Sequence, residues 1–183
     1  TARFIFDTGA NLSTVSESVA KRLHMDIIRA AIDVDAITGI SIKADLAVCK
    51  QLKLGHINIS DVIFLVFPDS ALYIPQINYQ INGILGFPVI EALQEVQLTQ
   101  DDFFIVPKTP TVPKRPSNLA IDGLTPLIAI DGKHYTFDTG AEKTILYAPF
   151  YETYKQRIEQ HEIPTKIAMG GAGGKVEYDG FVI

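Results

Sequence analysis

The residues Asp7-Thr8-Gly9-Ala10 return as Asp138-Thr139-Gly140-Ala141, each time directly behind a phenylalanine, Phe6 or Phe137. A carboxylate at the mouth of a tight turn is a candidate for proton transfer. Two such turns with matched flanks allow a chemistry that one alone does not. Two carboxylates about 3 Å apart cannot both ionise, so one keeps its proton where an isolated aspartate would lose it. One carboxylate then takes a proton from water while the other donates to a carbonyl oxygen. The pair would titrate as a unit, with no single value belonging to Asp7 or to Asp138. Gly9 and Gly140 lack a Cβ, so a second backbone can approach closely. Thr8 and Thr139 carry hydroxyls able to reach the opposite turn. The plainer reading is a pair of turn aspartates satisfied by their own backbone N–H groups. The repetition, with matching flanks, argues against it.

The paired motif behind an apolar strand resembles the active-site turn of the retropepsin-like aspartic proteases. Pepsins share the Asp-Thr/Ser-Gly core but usually place Thr or Ser fourth, so Ala10 and Ala141 fall on the retropepsin side. Ile167-Ala168-Met169-Gly170-Gly171-Ala172-Gly173-Gly174-Lys175-Val176 resembles the glycine-rich flap hairpin of retroviral proteases. Gly83-Ile84-Leu85-Gly86 resembles the apolar-apolar-Gly motif behind the catalytic turn. The resemblance spans most of the chain outside residues 107–118.

It implies a mainly β, bilobal acid-protease fold in one chain, with two retropepsin-like β-barrel lobes and short helices. The implied activity is that of an aspartic endopeptidase, hydrolysing peptide bonds with water activated between Asp7 and Asp138. Thr8, Gly9, Thr139 and Gly140 would support the pair. Met169, Gly170, Gly171, Ala172 and Gly173 would bind substrate from one flap, and Ile37, Thr38 and Gly39 from its single-glycine counterpart. No metal, cofactor or covalent intermediate is implied. The partner would be an extended peptide or protein, held as a strand with alternate side chains in pockets. Losing the fourth-position hydroxyl implies activity at less acidic pH than in pepsins. A monomer with an intrachain pseudo-dimer is expected; pairing of each lobe with its equivalent in a second chain is the other arrangement. A different class of function, a catalytically weak peptide-binding module using the same interlobe cleft, stands as the alternative.

Composition limits the other classes. The chain has 183 residues, 47% of them apolar, and a mean hydropathy of +0.18, sufficient for one large packed domain or two small ones. Net charge is −5 with both signs scattered, so no basic patch points to nucleic acid. Cys49 is the single cysteine, which excludes an intrachain disulfide and reads as an inert, partly buried thiol. His24, His56, His134 and His161 are too scattered for metal-ligand spacing. No apolar run is long enough to span a membrane. No signal peptide is visible in a chain that starts abruptly and has no second Ile-Leu-Gly after its flap. A trimmed protein is therefore expected. The compartment is open, with an extracytoplasmic one, periplasmic or secreted, favoured.

The elements that must position the two aspartates follow from periodicity. Residues 1–106 form a first lobe, 107–118 a linker with Pro107, Pro110, Pro113 and Pro116 at every third position, and 119–183 a second lobe. Thr1 to Phe6 reads as the strand entering the first turn. Helices are expected at Ser16–His24, Phe87–Leu93 and Pro149–Gln160. Strands are expected at Ile32–Lys43 and Leu46–Leu54, making a hairpin with Thr38-Gly39 at or near its tip, and at Glu95–Leu98, Phe103–Val106 and Thr125–Ile130, with turns at Asp101-Asp102 and Asp131-Gly132. Ile57–Phe67 reads as a strand pair. Tyr73, Tyr79 and Phe87 read as lobe packing before pocket lining. Ser13 and Thr144, each six residues past an aspartate, read as braces of the turn.

Overall fold

The computed structural model describes residues 2–101, 104–112 and 116–183. The chain is mainly β. In order, its first strands are β1 (Phe4–Phe6), β2 (Ser13–Ser16), β3 (Asp26–Asp35), β4 (Ser41–Leu54), β5 (Ile57–Phe67), β6 (Tyr73–Ile74), β7 (Tyr79–Gln80) and β8 (Gly83–Leu85). Six of them form one sheet in the order β1-β8-β2-β5-β4-β3, while β6 and β7 pair with each other. Alternation along β5 sends Val62, Phe64 and Val66 to one face, where they pack with Val15, Val19, Ala20, Ala47 and Val89. Leu65 and Phe67 go to the other face, with Ile42, Ala44, Leu72 and Ile81. Burial on both faces explains the apolar run Phe64-Leu65-Val66-Phe67, while Ile63 just before it is exposed.

Helix α1 (Glu17–Arg22) follows β2 without a break and presents Val19 and Ala20 to the first cluster. Glu17 in its first turn and Lys21 and Arg22 in its last match the helix dipole. Helix α2 (Phe87–Ala92) starts immediately after Gly86, with Pro88 in the first turn, where a missing N–H is harmless.

Beyond α2, β9 (Gln97–Leu98) and β10 (Phe104–Ile105) pair antiparallel. Strands β11 (Leu119–Asp122), β12 (Thr125–Ile130) and β13 (Lys133–Thr136) form a meander. Asp131 (φ 49°) and Gly132 (φ 74°) are both left-handed, the tight hairpin geometry that an Asp-Gly pair favours. Helix α3 (Ala148–His161) precedes the hairpin of β14 (Thr165–Gly171) and β15 (Gly174–Gly180). Among the described residues, the buried apolar side chains come from residues 15–93 except Pro126 and Ile158. None of the described helices is long and apolar enough to cross a membrane.

Several expected boundaries move. The strand expected at Ile32–Lys43 is broken at residues 36–40, where Gly39 (φ 75°) turns the chain and its N–H bonds the Ala36 carbonyl. The flanking strands are therefore β3 and β4, and β4 runs on through residues 44 and 45. Ile57–Phe67 is one strand, not a pair. Its polar interruption, Asp61, takes φ 53° while β5 stays paired with β4 on either side. β9 and β10 are shorter than expected. Thr1, Asp102 and Phe103, on which an expected strand end, turn and strand start fell, lie outside the described residues, as does Pro113 of the proline series.

Candidate active site

Strand β8 lies between β1 and β2, parallel to one and antiparallel to the other. Gly83 packs against the Phe4 ring and the Thr14 carbonyl, leaving no room for a side chain. Three bonds fasten the turn after β1 to β8 and the residues following it. The Asp7 N–H donates to the Leu85 carbonyl (3.0 Å), the Phe87 N–H to the Ala10 carbonyl (2.8 Å), and the Gly86 N–H to Ser13 Oγ (3.0 Å). A Cβ on Gly86 would lie 2.7 Å from the carbonyl oxygens of Ala10 and Leu12, so only glycine fits. The Asp138 turn follows β13, and the Phe137 N–H donates to the Pro126 carbonyl (2.9 Å). Thr144, the positional counterpart of Ser13, is exposed.

Within each turn the carboxylate folds back on its own backbone. Asp7 Oδ1 accepts from the N–H groups of Gly9 (2.9 Å) and Ala10 (3.1 Å). Asp138 Oδ1 accepts from Gly140 (2.8 Å) and Ala141 (3.2 Å). This is the local satisfaction expected of any turn aspartate, and it leaves each Oδ2 for other partners.

The turns also engage each other across 131 residues of sequence. The Thr8 N–H donates to Thr139 Oγ1 (3.1 Å) and the Thr139 N–H donates to Thr8 Oγ1 (3.0 Å). Each hydroxyl then donates onward, Thr8 to the Phe137 carbonyl and Thr139 to the Phe6 carbonyl (2.9 Å). A threonine hydroxyl can accept and donate at once, which a closed exchange of four bonds requires. Thr8 is buried. A Cβ on Gly9 would lie 2.5 Å from Asp138 Cγ, and one on Gly140 would lie 2.6 Å from both Asp7 carboxylate oxygens. Each carboxylate thus lies over the opposite glycine.

This crowding shows in the protonation of Asp7, whose pKa is raised from 3.8 to about 6. Burial is the main cause, followed by the negative charge of Asp138 and a hydrogen bond with it; the Gly9 and Ala10 N–H groups oppose the rise.

The two expected substrate-binding hairpins meet at their tips. Among the glycines of the β14–β15 hairpin, Gly173 (φ 83°) and Gly174 (φ 137°) make the bend, whereas Gly170 and Gly171 lie within β14. The Gly171 Cα faces Ile37, and a Cβ there would lie 3.0 Å from Ile37 Cγ2. Ala172 packs against the cluster of Ile42, Leu65, Leu72 and Ile81, and the Gly173 N–H donates to the Ala71 carbonyl (3.0 Å). Thr38 is buried with its hydroxyl 3.5 Å from the Ala172 carbonyl oxygen. Met169 is half-buried and pairs with Val176, and Gly170 and Gly39 have open space around them.

Phe87 is core, Tyr79 packs on the second cluster, and Tyr73 is partly exposed with its hydroxyl bonded to Asn78. His24, His56, His134 and His161 are exposed. Two contacts near the site had no local signal in the sequence. The Phe104 ring meets the Phe6 ring edge-on at 4.5 Å, and the Glu95 carboxylate holds Thr111.

No curated protein and no solved structure matches the chain. Residues 1–89, which contain the Asp7 turn, β8 and the start of α2, match the family model described as aspartyl protease. That match supports an aspartic protease family and a general aspartic protease function for this chain.

Proposed function

We propose that the chain is an aspartic endopeptidase in which Asp7 and Asp138 form one catalytic pair. The observation that carries the reading is the placement of each carboxylate over the opposite turn's glycine, fixed by the exchange of bonds between Thr8 and Thr139. Residues 1–106 and 119–183 act as duplicated lobes, with 107–118 crossing between them. The pair works with one shared proton, kept above the usual carboxylate range by burial and by the closeness of the two charges. The ionised carboxylate takes a proton from water, which attacks the scissile carbonyl as the protonated carboxyl donates to the carbonyl oxygen. The tetrahedral intermediate then collapses with proton transfer to the amide nitrogen. Backbone N–H groups on each Oδ1 orient the carboxylates without consuming Oδ2.

The substrate is an extended peptide lying beneath the two hairpins. Ile37, Thr38 and Gly39 contribute from one side, and Met169 to Gly173 from the other. The test is cleavage of a peptide library between pH 3 and pH 8 by the purified chain, alongside Asp7→Asn and Asp138→Asn. Loss in both variants is expected. Half the wild-type rate in either variant refutes a single shared site. Peptide binding by wild type without cleavage at any pH establishes the binding-module alternative instead.

A further inference from the structure

We infer that Glu95 is a positioning residue for the Asp7–Asp138 pair, acting through the returning segment 104–111; this rests on the proposed catalytic reading. The Glu95 carboxylate accepts from the Thr111 N–H (2.7 Å), the Thr111 hydroxyl (2.5 Å) and Gln97 Nε2 (3.0 Å). One side chain thereby ties the chain leaving β10 back to β9. That fastening matters because Phe104 and Ile105 are both partly exposed, and among the described residues β9 and β10 pair through two residues each. A short two-stranded pair has little stability of its own.

Phe104 nevertheless occupies a sensitive position. Its ring packs edge-on against Phe6 at 4.5 Å. Phe6 directly precedes Asp7, and its carbonyl accepts the Thr139 hydroxyl. Phe6 is therefore held by Phe104 on its side chain and by the second turn on its backbone. Glu95 fixes the far end of the segment that carries Phe104, so releasing it loosens the support of the residue joining both turns. The surroundings of Asp7 report the result. Among the described residues, Asp138 is the titratable group that perturbs Asp7, and the opposing groups are the N–H donors of Gly9 and Ala10. A wider separation of the turns weakens the Asp138 contribution and lets Asp7 ionise at lower pH.

The experiment compares wild type with Glu95→Ala, Thr111→Val and Thr111→Ser. It follows kcat against pH and the titration of the Asp7 carboxyl carbon by NMR. Glu95→Ala and Thr111→Val should each lower kcat by about tenfold to about a hundredfold. The upper pH limb and the Asp7 midpoint should both move acidward by about half a unit or more. Thr111→Ser keeps both donors and should restore wild-type values. An unchanged Asp7 midpoint in Glu95→Ala and Thr111→Val overturns the inference, whatever their stability. The NMR titration needs no turnover, so it decides the positioning role even if wild type cleaves nothing, which would refute the catalytic reading alone.

Discussion

Replacing Asp7 by Asn separates the electrostatics of the pair from its architecture. The amide keeps Oδ1 as acceptor for the Gly9 and Ala10 N–H groups and offers a donor to Asp138, so the turn should survive. In the folded wild type Asp7 holds its proton to about pH 6, against a reference value of 3.8. Its raised pKa means that the folded state binds this proton more tightly than the unfolded chain. The associated stability is therefore fully present below about pH 4 and is lost as pH rises through about 6. A shift of roughly two units corresponds to about 3 kcal/mol at most. Asp7 is only half-buried, and solvent screening reduces the expected effect to roughly 1–1.5 kcal/mol. Asn has no proton to lose, so its stability should stay flat over the same window. The assay is urea or thermal denaturation of both proteins from pH 4 to pH 7.5. Relative to wild type, the variant should gain roughly 1–1.5 kcal/mol between pH 4 and pH 7, or about 3–5 °C in Tm. Cleavage should fall at least about a hundredfold at every pH, because no shareable proton remains. A stability difference that does not change with pH would refute the claim that Asp7 is held protonated by burial and Asp138.

Gly9→Ala should lower kcat about a hundredfold with a near-native thermal transition, because its methyl would lie 2.5 Å from Asp138 Cγ and must push that carboxylate aside; unchanged kcat would contradict the overlap of the turns. Thr8→Val removes one donor and one acceptor from the buried exchange, leaving the Thr139 N–H and Phe137 carbonyl unpaired. A loss of about 2–4 kcal/mol in urea denaturation is expected, largely rescued by Thr8→Ser; a loss below about 1 kcal/mol would contradict it. Gly173→Val introduces a branched side chain at φ 83° against Ile40 and the buried Ile42 at 3.2 Å, so KM should rise severalfold and Tm should fall by several degrees. Gly39→Val meets only strain, having no atom within 4 Å, and should affect KM less.

The meeting of the two turns was legible because the signal is local and occurs twice. An aspartate, a hydroxyl and a glycine in fixed order specify a turn, a bond to offer and a gap, and the second copy shows where the first must point. The strand boundaries were less legible for an equally local reason. A hairpin tip at Thr38-Gly39 was expected and is found, but residues 32–43 fit a strand pattern throughout, and the extent of the break depends on Gly39 taking a positive φ. Ile57–Phe67 departs in the opposite sense. Its alternation reads as two strands, yet it is one, with Asp61 exposed in a left-handed conformation inside it. The contacts that join distant segments left no local trace: Phe6 with Phe104, Glu95 with Thr111, and Gly173 with Ala71. Each is an ordinary residue made important only by what the topology places beside it.

The halves of the chain are unequal supports for an otherwise symmetric pair of turns. The Asp7 turn is anchored to β8, to Gly86 and to a two-faced core of residues 15–93. The Asp138 turn follows a three-stranded meander that contributes little buried apolar surface. Its position relative to Asp7 therefore depends on contacts that cross between the halves. Among these are the four bonds of the threonine exchange, and the hairpin tip held by Ala172 and the Gly173 N–H. Each hydrogen bond contributes on the order of 1 kcal/mol net, so the alignment rests on a sum of small terms, with no single dominant contact. A sum of that kind is sensitive to distant changes. Fractions of an ångström between the carboxylates decide whether they share a proton, so activity should respond to substitutions that leave overall stability almost unchanged.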